Sequence, residues 1–88
     1  MRLKFEVSES WRGIYFVSMR NIYGRETSNE YSIAEILGLT LNRYKDLIIQ
    51  NDGILINNWS YYFITKKECQ DFIEKVIEPR LVIEELIK

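Results

Sequence analysis

Histidine is absent from this 88-residue chain. The side chain that most often acts as a general base near neutral pH, and as a metal ligand, is therefore missing. A single cysteine, Cys69, excludes an intramolecular disulfide and leaves a tetrahedral zinc site without its ligand set. It sits on an apolar helix face and reads as a reduced core thiol. The four glycines are isolated, which excludes a glycine-rich phosphate loop. No stretch approaches the roughly 18 apolar residues of a membrane span. Met1 to Val7 alternates charged and apolar side chains instead of presenting the apolar run of a signal peptide. We therefore expect a cytoplasmic, non-enzymatic protein with no catalytic residues, no cofactor, no metal and no membrane contact.

Charge is nearly balanced, at −1, whereas a dedicated nucleic-acid binder carries a basic excess. Asp71, Glu74, Glu78, Glu84 and Glu85 stand among lysines at helical spacing and read as a solvated face rather than an acid–base pair. Apolar content of 47% and charged content of 28% are ordinary for a folded domain. One domain over residues 1–88 is expected.

The strongest local pattern runs from Trp59 to Ile77. Tyr61, Phe63 and Thr65 alternate with Tyr62 and Ile64, as in a strand covered on both faces. At Thr65 the period changes. Thr65 and Glu68 have the spacing of a capping box, in which hydroxyl and carboxylate each satisfy a free backbone N–H. Cys69, Phe72, Ile73, Val76 and Ile77 then form one helical stripe, which predicts a helix over 66–77.

Elsewhere, Leu3, Phe5 and Val7 alternate with Arg2, Lys4 and Glu6, and with residues 14–19 they predict a hairpin turning near Glu9 to Arg12. Asn21 to Asn29 is polar, contains Gly24 and reads as a loop. Two short helices follow. The first is capped by Thr27 with Glu30 or by Ser32 with Glu35, and it ends at Gly38. The second starts at Thr40 and runs from Leu41 to about Gln50, with Leu41, Tyr44, Leu47 and Ile48 as its apolar stripe. Asp52-Gly53 breaks it. Asn57-Asn58 predicts the turn of a second hairpin, with Trp59 beside it. The positions of Trp11 and Trp59, in the core or on the surface, stay open. Glu78-Pro79 is expected to end or kink the 66–77 helix and to open a short C-terminal one.

The expected architecture is α+β. A small antiparallel sheet of two hairpins carries the 66–77 helix, with two central helices and a C-terminal helix; alternatively the middle strands form a separate wing.

Ala34, Gly38, Leu39, Thr40, Tyr44 and Leu47 have the spacing of a helix-turn-helix. With Asp52-Gly53, the hairpin and the Thr65-Lys66-Lys67-Glu68 helix start, residues 31–77 resemble an excisionase-type winged helix-turn-helix. That resemblance implies a DNA-binding accessory protein whose contact residues are Thr40, Asn42, Arg43 and Lys45. The whole chain also resembles small uncharacterised proteins of Gram-positive bacteria and their phages, from the order of its segments to the ending Glu78-Pro79-Arg80-Leu81-Val82-Ile83-Glu84-Glu85-Leu86. That likeness implies no activity.

The segment after Pro79 holds Leu81, Val82, Ile83, Leu86 and Ile87, a stripe too wide for an ordinary surface helix. It is the candidate interface of a non-enzymatic interaction module, with a protein partner or a second copy of the chain, or else it folds back onto the chain's own sheet. DNA binding is the alternative.

Overall fold

The computed structural model describes residues 3–10, 13–56 and 60–81. The fold is α+β, with small antiparallel sheets and helices, as the residue periods predict. Strand β1 (Leu3–Glu9) pairs with β2 (Tyr15–Asn21), placing Phe5 opposite Met19 and Val7 opposite Val17. Phe5, Val17 and Met19 are buried, so the alternation read from the sequence sets the core face. The connection closes where Ser10 N–H donates to the Ile14 carbonyl at 2.8 Å and Gly13 N–H to that of Ser10 at 3.0 Å. Trp11 and Arg12 lie outside the described residues.

The polar stretch read as a loop, Asn21 to Asn29, is in part a third strand. β3 (Glu26–Thr27) pairs with Met19 and Arg20, making the sheet a meander of order β1-β2-β3. Its turn is built by a side chain: Asn21 Oδ1 accepts from the N–H groups of both Tyr23 and Arg25. Asparagine mimics a backbone turn here, which composition alone does not distinguish from a loop.

Helix α1 (Glu30–Ile36) is capped by neither of the two boxes read from the sequence. Asn29 is its cap, and its side chain accepts from Ser32 N–H. Glu30 is unavailable to Thr27 because its carboxylate is taken by Tyr61, 31 residues away. Gly38 adopts φ 71°, which ends α1, and Leu39 N–H returns to the Ala34 carbonyl at 2.9 Å. Thr40 caps α2 (Leu41–Gln50), whose Tyr44, Leu47 and Ile48 are buried.

Strands β4 (Ile54–Ile56) and β5 (Ser60–Tyr62) form the second hairpin. Asn57, Asn58 and Trp59 lie outside the described residues. Among the described residues, backbone pairing joins the two sheets at Tyr15 and Phe63. Tyr15 and Phe63 exchange both backbone hydrogen bonds, at 2.9 and 2.7 Å, tying the end of the second hairpin to the start of β2. The strand covered on both faces is only partly so, since Ile64 is 59% exposed.

Helix α3 (Lys66–Phe72) opens with the expected capping box: Thr65 Oγ1 accepts from Glu68 N–H at 3.1 Å while the Glu68 carboxylate accepts from Thr65 N–H at 3.3 Å. Cys69, Phe72, Ile73, Val76 and Ile77 are all buried in the core, and α3 packs on β1 and β2. Pro79 neither ends the helix nor starts a separate one. Winding continues over 78–81 because Ile73–Ile77 widens into a π-type turn, with Glu78 N–H reaching the Ile73 carbonyl. Proline has no N–H to give, and its ring crowds the carbonyl four residues back, so a widened turn just upstream relieves both problems. Arg80 adds a side-chain bond to the Val76 carbonyl at 2.8 Å. No helix among the described residues is long and apolar enough to cross a membrane.

The meander's other face is polar apart from Phe16. Ser18 is 3% exposed but satisfied, its hydroxyl 2.6 Å from that of Ser8, its diagonal neighbour across the strands. Glu26 reaches Arg20 at 3.1 Å, and Glu6 reaches Lys4 and Arg20 at 3.6 and 3.7 Å. Exposed pairs of this kind contribute little to stability.

Candidate functional site

Consecutive aromatic residues in a strand point to opposite faces, so Tyr61 and Tyr62 cannot both enter the core. Tyr61 turns toward it and packs on its margin. Tyr62 turns to the far face, where its ring meets Phe16 edge-on, with centroids 5.7 Å apart and planes at 87°. The two rings thus stand as perpendicular walls. Helix α1 brings Glu30 and Tyr31 alongside them, and α2 brings Leu41 and Lys45. Together these residues line an open groove of about 410 Å³, a volume in the usual range for ligand sites. Tyr31 is 62% exposed at its rim.

Two charges of opposite sign face this groove. Glu30 Oε2 accepts from Tyr61 N–H at 2.9 Å, which fixes the carboxylate in place. Burial pushes the Glu30 carboxyl above its ordinary value, and the Tyr61 N–H and the Lys45 ammonium pull against that shift without cancelling it. The Lys45 ammonium lies 5.4 Å from the centre of the Tyr61 ring, within cation–π range. No lysine or arginine among the described residues forms an ion pair with Glu30.

The raised value fixes the sign of a pH effect. Folded Glu30 holds its proton more tightly than the unfolded chain does, so its ionisation opposes folding as pH rises from the ordinary carboxylate value through the folded one. Glu30→Gln, which keeps the acceptor for Tyr61, should therefore gain stability relative to the parent between pH 4 and pH 7. Urea denaturation at both pH values measures this. A variant that loses stability relative to the parent over that interval would show that ionised Glu30 supports the fold.

No known protein family, curated protein or solved structure matches the chain. Whatever is inferred about its function rests on the chain's own geometry.

The four residues singled out for DNA contact do not share one surface. Thr40 is the cap of α2. Asn42 and Arg43 are exposed, and Lys45 is half-buried over Tyr61. At 100° per residue, Arg43 and Lys45 lie about 160° apart around the helix, on opposite flanks. Asp46 and the half-exposed Ile49 share the most exposed face with Asn42. Of the residues singled out in the C-terminal segment, Leu81 is half-buried and packs against the chain's own core. Val82, Ile83, Leu86 and Ile87 lie outside the described residues.

Sequence reading missed Phe16, Glu30, Tyr31 and Tyr62 as a group. The doublet Tyr61-Tyr62 was the available signal, since one of its rings had to stand off the core. Nothing in the sequence says what stands opposite it.

Two sulfur and phenol groups near the core are chemically quiet. Burial pushes the Cys69 thiol up to about 12, and burial with the nearby Glu30 charge raises the Tyr44 hydroxyl as well. Neither is a thiolate or phenolate at neutral pH.

Proposed function

We propose that the chain is a non-catalytic protein-interaction module whose binding face is the aromatic groove between α1, α2 and β5. The observation that carries this reading is the concentration of Phe16, Tyr31, Tyr61 and Tyr62 around one concavity. Aromatic rings offer large contact area at low conformational cost and dominate the energetics of interfaces. The test is selection from a displayed random-peptide library against the full chain. Selected peptides should bind at micromolar affinity and lose about tenfold or more when Tyr31→Ala and Tyr62→Ala are combined, the loss of two such anchors. Binders indifferent to that pair would move the binding face elsewhere, and a library yielding none would end the reading.

DNA binding is the second reading, supported by the tight α1–Gly38–α2 turn and the exposed Asn42 and Arg43. Asp46 and Ile49 on the outward face of α2 weigh against it, as does the inward placement of Lys45. The interaction-module reading expects no retardation of duplex DNA at low ionic strength. Retardation that Arg43→Ala and Lys45→Ala together abolish would reverse the preference.

A further inference from the structure

Charge complementarity narrows the chemistry of the groove's occupant. The fixed charge in it is negative. Glu30 is held by the Tyr61 N–H, it is half-buried, and no cation among the described residues stands within ion-pair distance of it, the Lys45 charge acting on it only from farther off. Lys45 differs, since its ammonium already lies over the Tyr61 ring and its four-carbon stem lets it swing aside. Beside Glu30, the perpendicular rings of Phe16 and Tyr62 form a corner, and aromatic faces carry negative electrostatic potential. A carboxylate next to two orthogonal rings is the arrangement that holds an organic cation. The cation's charge meets the carboxylate while its flanks lie against ring faces. Arginine suits it best among ordinary side chains, because its planar guanidinium stacks on one wall while its N–H fork reaches a carboxylate.

Resting on the interaction-module reading, we infer that the groove takes an arginine side chain of a partner peptide, paired with Glu30 and enclosed by Phe16 and Tyr62. Tyr31 at the rim covers the aliphatic stem, and the Lys45 ammonium swings out of the site.

The probe is acetyl-arginine amide, titrated into the full-length chain and followed by the backbone amide signals of Glu30, Tyr61 and Tyr62. Acetyl-citrulline amide, the uncharged isostere, is the control. The arginine probe should shift these signals saturably, and citrulline should bind about tenfold more weakly or not at all. Glu30→Gln should reduce arginine affinity about tenfold while the spectrum stays that of a folded protein. Lys45→Ala should raise affinity, because it removes a like charge from the site. Equal binding of citrulline overturns the inference, as does arginine binding that Glu30→Gln leaves intact. Preferential binding of acetyl-glutamate amide that Lys45→Ala abolishes would make Lys45 the reading charge instead. The peptide selection separates the two levels. Selected peptides that lack a basic residue yet depend on Tyr62 would keep the module and discard the arginine, whereas an empty selection discards both.

Discussion

Replacing Phe72 by alanine should lower the unfolding free energy by about 3–5 kcal/mol, the cost of emptying an aromatic site that cannot collapse. Phe72 is 1% exposed, and its ring centre lies 5.3 Å from that of Phe63 and 6.0 Å from that of Tyr44. Those contacts join α3 to the point where the two sheets meet and to α2. Three elements therefore lose packing together, and no single side chain can move in without uncovering another. Small domains are stable by about 5–15 kcal/mol, so the variant should sit near the edge of folding. Urea denaturation followed by far-ultraviolet circular dichroism measures the loss. Ile64→Ala is the internal comparison: its side chain is largely exposed, and stability should change by no more than about 0.5 kcal/mol. Equal effects at the two positions would mean that α3 is not the element on which the core is assembled.

Gly53→Ala should destabilise by about 2–3 kcal/mol, the cost of inserting a methyl group where no space exists. The cause is not the usual one for glycine. Asp52, not Gly53, holds the left-handed conformation after α2, at φ 72°. Gly53 is buried, and its N–H bonds the Ile48 carbonyl at 2.8 Å. A Cβ there would stand 2.7 Å from that same oxygen and would run into Cγ2 of Ile48. Relief requires moving the end of α2 away from β4, which costs the hydrogen bond or the packing of Ile48. Asp52→Gly separates steric from conformational effects. It should leave stability within about 0.5 kcal/mol, since the easier positive φ is offset by greater freedom in the unfolded chain. A Gly53→Ala protein as stable as the parent would show that this turn yields freely.

Reading Asp52-Gly53 as a break was right about place and silent about division of labour. Either residue tolerates a positive φ, and only the approach of Ile48 decides which one must lack a side chain. The cap of α1 follows the same logic. Thr27 with Glu30, and Ser32 with Glu35, have good local spacing, yet Asn29 caps the helix, the Thr27 hydroxyl accepts from Asn29 N–H and the Glu30 carboxylate accepts from Tyr61 N–H. Glu78-Pro79 has the signature of an end or kink in the 66–77 helix, and the winding continues past it through one widened turn. The α1 cap met a contact 31 residues away, whereas Asp52-Gly53 and Pro79 are settled by neighbours in the adjoining helical turns.

By itself the sequence determined which side of each element faces inward: the stripe from Cys69 to Ile77, the alternation of Leu3, Phe5 and Val7, the cap at Thr65 and the turn at Gly38. Those features depend on neighbours within a few residues, and the repeat distances of helix and strand make them readable from spacing alone. Only the tertiary structure decided that Tyr15 pairs with Phe63, that Glu30 reaches Tyr61, and that Phe16 stands at right angles to Tyr62. Periodicity names the buried face of an element but not what lies across from it, and the groove is made entirely of such meetings.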